Sequence, residues 1–131
     1  MGQSQTTMSN SICRIAVLAI LMYCCVTVDA QSNYYMQQAK SYQREAEYYT
    51  KQAQRYDREV DYYNRQAQGY LREAEYYSKH KKYDKVRSYQ RRAKDATERA
   101  ESYMRRADDA KDKAKSYMKK AENSIQNTKI K

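Results

Sequence analysis

Four tyrosines, Tyr34, Tyr48, Tyr62 and Tyr76, recur at intervals of fourteen residues. Phenols can join chains without cysteine. One-electron oxidation couples two rings into dityrosine, and hydroxylation gives a catechol that grips metals, surfaces and other chains. On an α-helix, which rises about 1.5 Å per residue, such a row offers one phenol roughly every 21 Å. These four residues are the candidate cross-linking and assembly residues. The sequence has no competing reactive constellation. The single His80 has no second His or Cys beside it to build a metal site, and no Ser or Cys is paired with a base for nucleophilic attack. Glycine occurs only at Gly2 and Gly69, which excludes a phosphate-cradling Gly-rich loop. The expectation is a non-enzymatic protein with no cofactor and no metal.

The element that must carry the row is legible in a second periodicity. The segments 34–47, 48–61 and 62–75 read YYMQQAKSYQREAE, YYTKQAQRYDREVD and YYNRQAQGYLREAE. Each spans two heptads. Ala39, Ala46, Ala53, Val60, Ala67 and Ala74 fall seven apart at position a, and Tyr42, Tyr49, Tyr56, Tyr63, Tyr70 and Tyr77 follow at position d. In the second half, a is Val86, Ala93, Ala100, Ala107, Ala114 and Ala121. Position d there runs Tyr89, Ala96, Tyr103, Ala110, Tyr117 and Ser124. An apolar residue every 3.5 positions is the coiled-coil seam pattern. The intervening Glu, Gln, Lys and Arg are good helix formers, and pairs such as Glu47 with Lys51 add i,i+4 support. With no Pro, two Gly and hardly any large aliphatic residue, a β-rich or conventional globular fold is excluded. Tyr34, Tyr48, Tyr62 and Tyr76 fall at position c, pointing away from the seam.

The first thirty residues read as an address. Arg14 precedes the apolar run IAVLAILMYCC at 15–25, and Val28 and Ala30 supply small residues ahead of a cleavage point at Gln31. This is the pattern of a secretory signal peptide, and the run is short for a membrane span. Removing residues 1–30 takes away all three cysteines, so export brings no disulfide framework. The expected location is secreted and extracellular.

The two seam registers do not join. Tyr77 at d and Val86 at a are nine residues apart, where an unbroken heptad requires four. The organisation expected is a signal peptide at 1–30, a first helix at 31–78, a basic turn at 79–85, a second helix at 86–126 and a disordered tail at 127–131. Size complementarity selects antiparallel pairing, in which a meets d and each Tyr faces a small residue. Folding about the turn sets Ala74 opposite Tyr89, Tyr63 opposite Ala100, Val60 opposite Tyr103 and Ala46 opposite Tyr117. Ala67 then faces Ala96 and Ala53 faces Ala110. The fold class is all-α, a long antiparallel coiled-coil helical hairpin able to join a larger bundle; pairing alone also fits an antiparallel dimer of continuous helices, and the register break at 78–85 favours the hairpin.

Charge separates the halves. Residues 31–80 carry 8 Lys/Arg against 7 Asp/Glu, whereas residues 81–131 carry 17 against 8. The basic second helix suits an anionic matrix protein, a polysaccharide or a mineral surface. Export argues against nucleic acid, and the want of Leu, Phe and Trp argues against membrane insertion of the seam. The segment KKYDKVRSYQRRA at 81–93 faintly resembles part of a tetratricopeptide repeat, but a fourteen-residue period does not fit that unit and nothing is carried over. In composition the chain resembles secreted coiled-coil matrix or adhesive proteins of the shell-matrix, byssal, cement or silk type. The expectation is a self-associating, Tyr-rich structural protein of an extracellular matrix. The alternative is a soluble cationic effector or binding module acting on polyanions or microbial membranes.

Overall fold

The described residues form two helices, α1 at Gly2–Lys79 and α2 at Tyr83–Lys129. The computed structural model describes the backbone of residues 2–129 and the side chains of 13–24 and 29–129. The helices pack against each other as an antiparallel hairpin, and among the described residues there is no strand. Their existence follows from unbroken runs of helix-forming residues. Their pairing follows from the Ala and Tyr stripes, because helices this polar gain most of their stability from packing one apolar face.

The turn is tighter than the sequence suggests. α1 runs to Lys79 and α2 starts at Tyr83, so only residues 80–82 connect them. Lys81 adopts φ 56°, the left-handed region. Its N–H donates to the Ser78 carbonyl at 3.1 Å, and the Lys82 N–H donates to the Tyr77 carbonyl at 3.0 Å. These paired bonds form a Schellman closure, which satisfies carbonyls that a helix end otherwise leaves bare. Lys occupies the position where Gly is usual, so the sequence carried no sign of it. α2 then opens with Val86 N–H donating to Lys82 O at 3.2 Å, and Asp84 places a carboxylate in the positive first turn.

Two units are separable, one around residues 42–119 and one formed by the N-terminal part of α1 with residues from 120 onward. In the first unit the core is a line of small residues. Ala46, Ala53, Val60, Ala67 and Ala74 from α1 are buried, as are Ala93, Ala96, Ala100, Ala107, Ala110 and Ala114 from α2. The d tyrosines stay half-buried, and so does Val86 at the turn. Half-burial suits an amphipathic side chain at a narrow seam, where the ring can pack while the polar tip stays near water. On one flank Lys111 bridges to Asp57 at 3.2 Å between the helices.

In the second unit Ala39, Ala121 and Ser124 are buried. The Ser124 hydroxyl lies 3.1 Å from the Lys120 carbonyl and 3.3 Å from Gln38 Oε1, so the polar residue at a seam position is satisfied. The end of α2 departs from the expected tail at 127–131. It stays helical to Lys129, with Thr128 Oγ1 donating to the Ile125 carbonyl and Ile125 half-buried. Residues 130–131 lie outside the described residues. In the stretch read as a signal peptide, Ile15, Leu18, Ile20 and Leu21 stand exposed on α1. By length and composition α1 from Cys13 onward has an 18-residue window apolar enough to cross a membrane, a longer stretch than the apolar run at 15–25 suggests, and a signal sequence near the N-terminus shares that property. The side chains of 1–12 and 25–28, which belong to the same expected signal peptide, lie outside the described residues.

Candidate functional site

The seam tyrosines of the two helices do not simply rest on alanine. They clasp one another. Tyr89 lies between Tyr70 and Tyr77, with ring centroids 6.2 and 5.5 Å away. Tyr103 lies between Tyr56 and Tyr63 at 6.0 and 5.6 Å. Tyr117 lies between Tyr42 and Tyr49 at 6.2 and 5.7 Å. In each trio one contact is stacked within 12° of parallel and the other is tilted by 37–39°. Between the two α1 rings of each trio in sequence lies a buried seam residue, Ala74, Val60 or Ala46. Offset contacts of this kind add about 0.5–1.5 kcal/mol each beyond the area they bury.

Cations lie over five of these rings. Lys85, Arg99 and Lys113 reach across from α2 to Tyr77, Tyr63 and Tyr49, at 4.8, 5.8 and 5.3 Å from the ring centroids. Arg92 and Arg106 each lie 5.3 Å from a ring three residues back on their own helix, Tyr89 and Tyr103. At exposed sites each contact is worth about 0.5–1 kcal/mol. Sequence reasoning read the positive charge of α2 as facing outward to a partner and missed this use. The signal was present: position g of α2 is Lys85, Arg92, Arg99, Arg106, Lys113 and Lys120, a cation in every heptad.

The row proposed for assembly stands outside the seam. Tyr34, Tyr48, Tyr62 and Tyr76 are 61, 52, 53 and 54% exposed. Each meets the next tyrosine edge to face, with centroids 5.2–5.5 Å apart and planes at 70–79°. A row ring is therefore held against a seam ring and keeps more than half of its surface in solvent. Tyr62 also accepts a hydrogen bond from Gln66 Nε2 at 2.9 Å. Tyr76 packs against His80 with ring centroids 4.3 Å apart, while His80 Nδ1 donates to the Tyr76 carbonyl at 2.8 Å. His80 thus closes the end of α1.

Where Ala faces Ala, rings are missing and two clefts open on one flank. The first, about 180 Å³, is lined by Gln66, Tyr70, Arg92, Asp95, Ala96 and Arg99. The second, about 220 Å³, is lined by Gln52, Tyr56, Arg106, Asp109, Ala110 and Lys113. The second set repeats the first at a fourteen-residue displacement on both helices, with Lys113 in the place of Arg99. Among the described residues no group of three His, Cys, Asp or Glu side chains is placed to hold a metal. No buried side-chain polar atom there lacks a hydrogen-bond partner.

No family model matches the sequence, and comparison with curated proteins and with solved structures returns no match. The reading of function therefore rests on the geometry.

Proposed function

We propose that the chain is a secreted, non-enzymatic structural protein of an extracellular matrix. The single observation that carries this reading is the row of four phenols, each more than half exposed and set at a fixed fourteen-residue step on a helix. The role needs a stiff spacer, reactive groups at regular intervals and little dependence on disulfides. The hairpin supplies the first and the row supplies the second. A chain that sheds residues 1–30 has no cysteine, which meets the third. Cation–ring contacts suit such a material, since they hold without a large aliphatic core.

A cationic effector acting on membranes or polyanions is the second reading, and the excess charge of residues 81–131 favours it. Against it, five of those cations lie over tyrosine rings of the same chain. Mass spectrometry of the native tissue material tests the matrix role. The expected result is dityrosine or hydroxylated tyrosine in an insoluble fraction. Unmodified tyrosine in a freely soluble chain, with potent dye release from anionic vesicles, would replace the first reading by the second.

A further inference from the structure

We propose that the two repeated clefts are sockets for the exposed tyrosine row of a second copy of this chain. The inference deepens the assembly role proposed above by naming the surface through which copies meet.

Consider first what the clefts would accept. The first has Ala96 and the ring of Tyr70 as apolar walls, and Arg92, Arg99, Asp95 and Gln66 as polar ones. A phenol answers all of these. Its ring packs on the alanine and presents a π face to the guanidinium groups. Its hydroxyl can donate to the Asp95 carboxylate or accept from the Gln66 amide. A cavity of about 150 Å³ is large enough to hold a benzene ring, and both clefts exceed that size.

The spacing then selects the occupant. The clefts repeat at fourteen residues, and so does the row Tyr48, Tyr62, Tyr76. A second hairpin laid antiparallel on this flank can bring its Tyr62 to the cleft at Gln66 and Arg99. Its Tyr76 then falls level with the cleft at Gln52 and Lys113. A two-fold axis makes the exchange mutual, as a closed pair requires. Rings and clefts lie on the same flank, since Gln66 lines a cleft and donates to Tyr62. Charge is complementary as well. Beside the row, α1 carries Glu59 and Glu73, and the partner's Arg92, Arg99 and Arg106 can meet them without leaving their own rings, because a guanidinium lying over a ring keeps in-plane N–H groups to donate.

Gly69 is the independent observation. It sits on the row between Tyr62 and Tyr76, in a helix interior where glycine is unfavourable. A Cβ added there would meet nothing within 4 Å, and φ is not positive, so nothing inside the hairpin demands glycine. Close approach of a second copy would give the missing side chain a purpose.

Sedimentation equilibrium of the full chain in a mild non-ionic detergent, which covers the apolar N-terminal stretch, tests this. The wild type is expected to form dimers, more weakly as salt rises. Gly69→Gln should raise the melting temperature of the hairpin and weaken its association at least tenfold. The double variant Tyr62→Ser, Tyr76→Ser should weaken association similarly with helix content unchanged. A wild type that stays monomeric, or a Gly69→Gln chain that associates as tightly as wild type, would overturn the proposal. Dimers sensitive to Gly69 in a chain that tissue yields freely soluble would support the sockets and remove the matrix role. A matrix-bound chain whose association ignores Gly69 would do the reverse.

Discussion

Tyr63 and Tyr103 come from opposite helices and stack with centroids 5.6 Å apart and planes 12° from parallel. Arg99 lies over the outer face of Tyr63, and Arg106 lies over Tyr103. The hairpin is thus fastened at fourteen-residue steps by ring stacks with cationic covers. Between the fasteners, alanine layers let the backbones come close.

Truncating a central ring should show what a fastener is worth. A half-buried Tyr hides roughly 100 Å² of its surface, or about 2.5 kcal/mol at 25 cal/mol per Å². Tyr103→Ala also forfeits contacts with Tyr56 and Tyr63. The expected loss is about 3 kcal/mol, read by urea denaturation followed by circular dichroism. Tyr103→Phe keeps ring and stack and should fall within about 0.5 kcal/mol of wild type. A large loss on removing the hydroxyl alone would mean that polar contacts, not stacking, hold the layer.

Lys81 carries a left-handed backbone with φ 56° at the turn. Its Cβ crowds the following carbonyl there, at a cost of about 1–2 kcal/mol relative to glycine. Lys81→Gly should therefore stabilise the hairpin by about 1 kcal/mol, a rise in melting temperature of about 4–8 °C for a domain of this size. A fall would show that the lysine side chain contributes more than its backbone strain costs.

Much of this architecture was legible in the residues, and what was hidden has a physical cause. The seven-residue spacing of Ala39 through Ala74 gave the helix, its buried stripe and its partner's direction. Pairing a against d, however, treats each layer alone. A tyrosine ring is longer than one layer, so Tyr103 reaches past Val60 to Tyr56 and Tyr63. The three α2 rings at fourteen-residue spacing against α1 rings at seven-residue spacing were the available hint. The turn is shorter than the register break implies because Lys81 takes a conformation that its residue type does not announce. The clefts arise from absent rings at Ala96 and Ala110, and a missing group is harder to read than a present one.

Glu47 supplies a pH test. Lys51 Nζ sits 2.8 Å from its carboxylate, and that hydrogen bond, aided by the lysine's charge, holds the Glu47 carboxyl below its ordinary value of 4.5. A carboxyl lowered on folding stabilises the fold fully above its unfolded value, and that stabilisation disappears as pH falls through the lower, folded value. Both side chains are largely exposed, so solvent screens the pair and the effect is small. Thermal melts of wild type and Glu47→Gln should differ slightly at neutral pH and converge once the pH falls below the lowered, folded value. A gap that persists in acid would assign the difference to helix propensity instead of the ion pair.

The row and the seam should differ in reactivity, and peroxidase with hydrogen peroxide can compare them. In dityrosine formation two phenols each lose one hydrogen atom, a carbon–carbon bond joins the rings ortho to the hydroxyls, and peroxide is reduced to water. Coupling needs a ring edge free to meet another ring. Tyr34, Tyr48, Tyr62 and Tyr76 have one edge against a seam ring and 52–61% of their surface in solvent. Tyr103 is half-buried and held between two rings, with Arg106 over its face. At high salt, where pairing through Tyr62 and Tyr76 is weakened, peptide mapping should therefore recover early cross-links at the row. Replacing all four by Phe should remove most dityrosine fluorescence while leaving the helical signal intact. Equal labelling of Tyr103 at early times would show that the hairpin opens faster than the rings couple, and exposure in the folded chain would no longer decide which phenols react.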